Sequence, residues 1–203
     1  MKVRPGFRTA IPAALGGLLG MVPQPALAHL VTTGLGPVYD GISHFLMSFE
    51  DLLPVAAMAL LAGLNGPAGA RRALFVLPAA WLVGGLGGLM TGSALLPGMA
   101  TAASALVLGG LVAGDRRLSP TMISVLAAVL GLMHGWLNGA GIAAANREGL
   151  AILGMGGVAF VIVALLAALV ASLRVDVARI AVRVAGSWIA AVGLLLIGWQ
   201  LRG

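Results

Sequence analysis

Apolar residues fill this chain in long blocks, and short polar runs punctuate them. Six blocks recur after residue 40, at roughly 41–64, 73–92, 95–113, 120–138, 149–173 and 182–201. Each comes close to the helix of about 20 residues that crosses a bilayer, so each predicts a membrane span. The third is short and carries Pro97 near its start. An earlier apolar run, Thr9 to Val22, is of another kind. Lys2, Arg4 and Arg8 precede it, Pro12 breaks it, and Ala26-Leu27-Ala28 follows with a small-x-small cleavage pattern. Residues 1–28 thus predict a signal peptide, an uncleaved first helix being the other reading. Cleavage after Ala28 leaves one six-helix membrane domain over 29–203, an all-α polytopic bundle.

Composition supports lipid as the solvent. Hydrophobic residues make up 60% of the 203 and charged residues only 9%, too apolar for an ordinary soluble domain. The 31 glycines, many in pairs or small-xxx-small spacings, suit close helix packing in a membrane. The net charge of +6 does not point to nucleic acid, because the arginines sit in clusters between the blocks. With a mature N-terminus outside, Arg71, Arg72, Arg116, Arg117, Arg174, Arg179 and Arg183 fall inside, and only Arg147 and Arg202 outside. That asymmetry predicts a bacterial inner-membrane protein with both mature termini on the periplasmic side. No cysteine is present, which removes thiolate ligands. There is no HExxH, no nucleotide loop and no serine–histidine pair at useful spacing, so an enzyme is not expected and neither is a tightly bound cofactor.

The candidate chemistry is concentrated in DGISHFLMSFEDLLP, residues 40–54. Ionisable groups in a membrane helix are costly and call for a partner or a task. On a continuous helix Asp40, His44 and Asp51 lie within about 60° of one another, Asp51 about 10 Å deeper than His44. Glu50 points elsewhere. Pro54 cannot donate to the carbonyl of Glu50, so a kink is expected beside the two carboxylates. The fourth block adds His134 and Asn138, four apart and on one face. His29, the predicted mature N-terminus, could chelate through its amine and ring. Asp40 and His44 could instead simply bond each other, and His134 could be a packing residue. Imidazole and carboxylate without thiolate suit Ni²⁺, Co²⁺, Zn²⁺ or Cu²⁺. The candidate ligands are therefore His29, Asp40, His44, Glu50, Asp51, His134 and Asn138.

Three short motifs occur in order: Gly41-x-x-His44 leading to an acidic pair and Leu52-Leu53, then Gly131-Leu132-Met133-His134-Gly135, then Arg183 to Gly193. In this arrangement the chain resembles the HupE/UreJ family of small membrane proteins, and the likeness covers nearly all of the mature part. The resemblance implies a signal peptide, about six helices, and a nickel or cobalt permease linked to hydrogenase or urease metal supply. Two positions depart from the family pattern. Glu50-Asp51 stands where an Asp-His pair is usual. Asn138 and Gly141 stand where many members carry a second histidine and a glutamate. The site thus has fewer nitrogen and more oxygen donors. A divalent-metal permease is expected, with the ion and membrane lipid as its partners. The alternative is a non-transporting subunit or assembly factor that contacts membrane metalloenzyme subunits.

Overall fold

The computed structural model describes residues 32–93 and 99–202. The expected signal peptide and His29 lie outside the described residues. The described residues form seven helices: α1 (Pro37–Met47), α2 (Phe49–Leu64), α3 (Gly66–Thr91), α4 (Met99–Ala113), α5 (Pro120–Ala144), α6 (Ala151–Ser172) and α7 (Asp176–Gln200). No strand occurs among the described residues. Proline and serine chemistry sets several starts. Pro37 and Pro120 open α1 and α5, where a missing N–H costs nothing. The Ser119 hydroxyl accepts from Met122 N–H at 3.2 Å and caps α5.

The expected six spans are only approximate. Helices α3, α5, α6 and α7 have 22 to 26 residues and the apolarity to cross a membrane. The first expected span is a bent pair, α1 and α2, meeting at 76°. Helix α4 has 15 residues, about 22 Å, short of a hydrocarbon layer about 30 Å thick. Among the described residues four helices therefore qualify, or five spans if the bent pair is one broken span.

The break also falls elsewhere than expected. It lies at Ser48, whose extended backbone (φ −86, ψ 98) ends α1 and begins α2. Ser48 N–H still donates to His44 O at 2.9 Å, while Ser48 O accepts from Asp51 and Leu52 N–H at 3.1 and 2.9 Å. Pro54 remains inside α2. Its missing N–H removes the bond to the Glu50 carbonyl, but the turn that gives way is the one before. Asp40 and His44 consequently do not share a face with Asp51. Asp51 gains a different position, the first turn of α2, where exposed backbone N–H groups favour a negative charge.

Helix α2 forms the middle of the bundle. Val55 and every residue from Ala57 to Leu64 are buried. Around it α3 pairs with α5, α4 pairs with α7, and α6 packs on α1, α2 and α3. The α3–α5 pairing is the most extensive, and glycine explains why. A Cβ at Gly84 would lie 2.3 Å from Leu132 O, and one at Gly88 2.1 Å from Trp136 O. Reciprocally, a Cβ at Gly135 would lie 2.1 Å from Trp81 O and one at Gly139 2.1 Å from Gly85 O. No other residue allows backbones this close. Helix α7 contrasts with this seam: only Gly186, Ile189 and Gly193 are buried, while Trp188, Leu195 and Trp199 face outward.

The arginine clusters gather at one end of the bundle. There Asn65, between α2 and α3, donates to Leu61 O and Arg116 O and accepts from Leu118 N–H at 2.7 Å. Asp115 pairs with Arg179 at 3.0 Å, and Arg183 donates to Ala113 O at 3.0 Å. These bonds tie the α2–α3 corner, the α4–α5 loop and the start of α7 together.

Candidate functional site

Among the described residues the buried polar or charged side chains are Asp51, Thr101 and His134, at 5%, 6% and 0% exposure. Two of them meet. His134 Nδ1 lies 2.8 Å from Asp51 Oδ1, although the residues are 83 apart in sequence. Asn138 reaches the same carboxylate, its amide nitrogen 3.1 Å from both Oδ1 and Oδ2 and 2.9 Å from His134 O. Three acceptor oxygens around one end of the amide require nitrogen there, and its two hydrogens are shared among them.

A third helix, α4, closes the site. Ser104 Oγ lies 3.0 Å from His134 Nε2 and donates to Thr101 O at 2.7 Å. Both imidazole nitrogens are thereby engaged, Nδ1 by α2 and Nε2 by α4. The ring stacks on Trp81 of α3, centroids 5.8 Å apart and planes at 24°. Phe45 of α1 packs on the other part of this group, 5.2 Å from the Trp81 ring. Four helices, α2 to α5, meet at this histidine, and α1 backs the group through Trp81. By helix rise, Asp51, Trp81 and His134 each lie about 20 Å from the arginine end. The glycine seam is what brings this about. Gly135 lets α5 touch the backbone of Trp81, so the neighbouring His134 must lie against the indole.

Electrostatically the site is a carboxylate held by two donors inside an apolar bundle. An ionised carboxylate there needs such partners, because unpaired burial costs several kcal/mol. The carboxylate also orients the ring: an ionised Asp51 can only accept at Nδ1, and Nε2 faces Ser104. One buried polar atom has no partner among the described residues, Trp81 Nε1, on the ring that stacks against His134.

The other expected ligands stand apart. Asp40 is on α1, where its Oδ1 accepts from the Thr33 N–H at 2.6 Å and hydroxyl at 2.7 Å. Those two bonds, backbone first, hold its pKa below the usual 3.8, with Arg147 adding a smaller push. No hydrogen bond or ion pair joins Asp40 to His44, so the simple pairing of these two is not what the structure contains. Glu50 is exposed. Among the described residues no three His, Asp or Glu side chains converge as a metal cluster. Asp51, His134 and Asn138 are thus brought together, and Asp40, His44 and Glu50 are not.

Sequence reasoning missed Ser104 and also the place of Trp81 against His134. A signal for Ser104 did exist. Thr101 and Ser104 are three apart in a block that is otherwise apolar, which puts two hydroxyls on one side of α4.

A family model described as "HupE / UreJ protein" matches residues 17–196. No curated protein and no solved structure matches the chain.

Proposed function

The chain belongs to the HupE/UreJ family, and on that footing we propose that it is a permease for a divalent transition-metal ion, nickel, cobalt or a related ion. The observation that carries this reading is the meeting of Asp51 and His134 at 2.8 Å inside a membrane bundle. A buried carboxylate–imidazole pair is an expensive way to join two helices and a natural way to receive a cation. Asp40 and His44, at the rim on α1, would attract the ion first, with Glu50 beside the break. A mixed set of one imidazole, one carboxylate and neutral oxygens suits a borderline ion that must also be released. In this reading the arginine end faces the cytoplasm of a bacterial inner membrane, and both ends of the mature chain face the periplasm.

A second reading has its own support. Asn138 donates to both oxygens of Asp51, so the carboxylate is satisfied without any ion. Such a closed network suits a non-transporting subunit or assembly factor that meets metalloenzyme subunits in the membrane.

Metal uptake by cells expressing the chain separates the two. Ni²⁺, Co²⁺, Zn²⁺, Cu²⁺ and Mn²⁺ would be compared at matched membrane abundance. The permease reading expects uptake of at least one ion, reduced at least about tenfold by Asp51→Asn and to background by His134→Ala. A folded, membrane-inserted protein that takes up none of them would overturn it and leave the assembly reading.

A further inference from the structure

The arginine end of the bundle holds cations of two kinds. Arg179 is spent on Asp115 and Arg183 on Ala113 O, each at 3.0 Å, and both bonds tie the fold together. Arg71 and Arg72, near the start of α3, are exposed and make no hydrogen bond or ion pair with any described residue. They line an open cavity of about 460 Å³, with Ala68, Phe75 and Val76 of the same helix and Pro120 of α5. Helix geometry makes this a groove. Positions 68, 71, 72, 75 and 76 follow the i, i+3, i+4, i+7, i+8 pattern and form one stripe along α3. No acidic side chain lines it. Pro120 opens α5, so the far edge carries the positive end of a 25-residue helix.

The stripe is graded with depth. Phe75 lies one turn beyond Arg71, about 6 Å further toward the middle of the bundle. Its exposed ring stands 6.5 Å from that of Phe160 on α6, which is exposed too. A cationic mouth thus sits above an apolar, aromatic floor. A guanidinium binds phosphate oxygens in pairs, and basic pockets between membrane helices suit anionic head groups.

We propose that this groove binds one anionic phospholipid of the phosphatidylglycerol class, from the leaflet that meets the arginine end. Arg71 and Arg72 hold the phosphate, and Phe75 with Val76 holds the start of an acyl chain. Charge complementarity selects this occupant. Two cations without an acidic neighbour favour a head group of net negative charge over a zwitterionic one, whose ammonium would face arginine. A free phosphate would use the mouth and leave the floor unused. The lipid would bridge α3 and the start of α5. The site is separate from the Asp51–His134 centre and holds for a permease and for an assembly factor alike.

The purified full chain in neutral detergent, titrated with phosphatidylglycerol or phosphatidylcholine and read by native mass spectrometry, tests this. One phosphatidylglycerol per chain should be retained where phosphatidylcholine is lost. Arg71→Gln with Arg72→Gln should weaken that binding about tenfold or more. Arg117→Gln with Arg174→Gln removes the same charge from exposed positions outside the groove and should change it less than about twofold. Phe75→Ala tests the floor with both arginines in place and should weaken binding at least about threefold. Equal retention of the two lipids overturns the proposal. Equal losses in the two arginine pairs also overturn it, in favour of diffuse surface charge. Displacement of the lipid by millimolar inorganic phosphate, with Phe75→Ala unchanged, overturns it in favour of a free anion.

Discussion

The chain contains two aspartate–histidine couples that behave in opposite ways. Asp40 and His44 are four residues apart on one helix, the spacing at which side chains are neighbours. They make no bond to each other, and Asp40 instead holds Thr33. Asp51 and His134 are 83 residues apart and lie 2.8 Å from each other in the buried centre. The α1 couple is only half-buried, and Asp40 already has Thr33 as a partner, so neither member needs the other. The interior couple is dry, so each must find a partner. Burial, more than sequence spacing, decides which charges pair.

The most severe way to break that contrast is to push α3 and α5 apart. A Cβ at Gly135 would meet Trp81 O at 2.1 Å, a backbone atom that cannot step aside. Gly135→Val should therefore cost about 3 kcal/mol or more, seen as loss of monodisperse protein on size exclusion in detergent. Survival of a normally stable protein would mean that the seam does not hold His134 in place.

A gentler experiment measures the two couples directly. A double-mutant cycle with Asp51→Asn and His134→Gln should give a coupling of about 1–3 kcal/mol in thermal or denaturant stability, as bonded buried neighbours do. The same cycle on Asp40→Asn and His44→Gln should give no coupling beyond experimental error. Equal coupling in both cycles would abolish the distinction drawn between rim and interior.

How much of this was legible in advance follows from the same physics. Lipid imposes length and apolarity on whatever crosses it. The block at 149–173 therefore anticipates Ala151–Ser172, and the block at 182–201 falls within Asp176–Gln200 apart from its last residue. His134 and Asn138 were legible as one face because α5 is continuous through them. Asp51 was legible as a charge in need of a partner, since a buried carboxylate always needs one. Its partner was not. Which helix touches which is set by backbone contacts such as Gly135 to Trp81, and a glycine in a sequence does not name its neighbour. The shared face of Asp40, His44 and Asp51 failed for a local reason. Pro54 signals strain in the helix, but the turn that yielded was at Ser48. Ser104 looked like one small polar residue in an apolar block, until α4 brought it to within 3.0 Å of an imidazole.

The smallest effect expected belongs to the rim, and pH exposes it. Thr33 donates two bonds to Asp40 and lowers its pKa below 3.8. A carboxylate with a lowered folded-state pKa stabilises the folded form above its unfolded pKa and loses that contribution as pH falls through the lower folded value. The attachment of residues 32–36 to α1 should therefore stay constant from neutral pH down to about pH 5, where the unfolded carboxylate is still ionised, and weaken only in stronger acid. Amide exchange of Thr33 reports this directly, because its N–H is one of the two donors. Asp40→Asn should raise that exchange at neutral pH and remove its acid dependence. The melting temperature and the Asp51–His134 coupling should both stay unchanged. If Asp40→Asn altered the interior coupling, the rim and the centre would be one electrostatic unit, and a bend of 76° between α1 and α2 would not separate them.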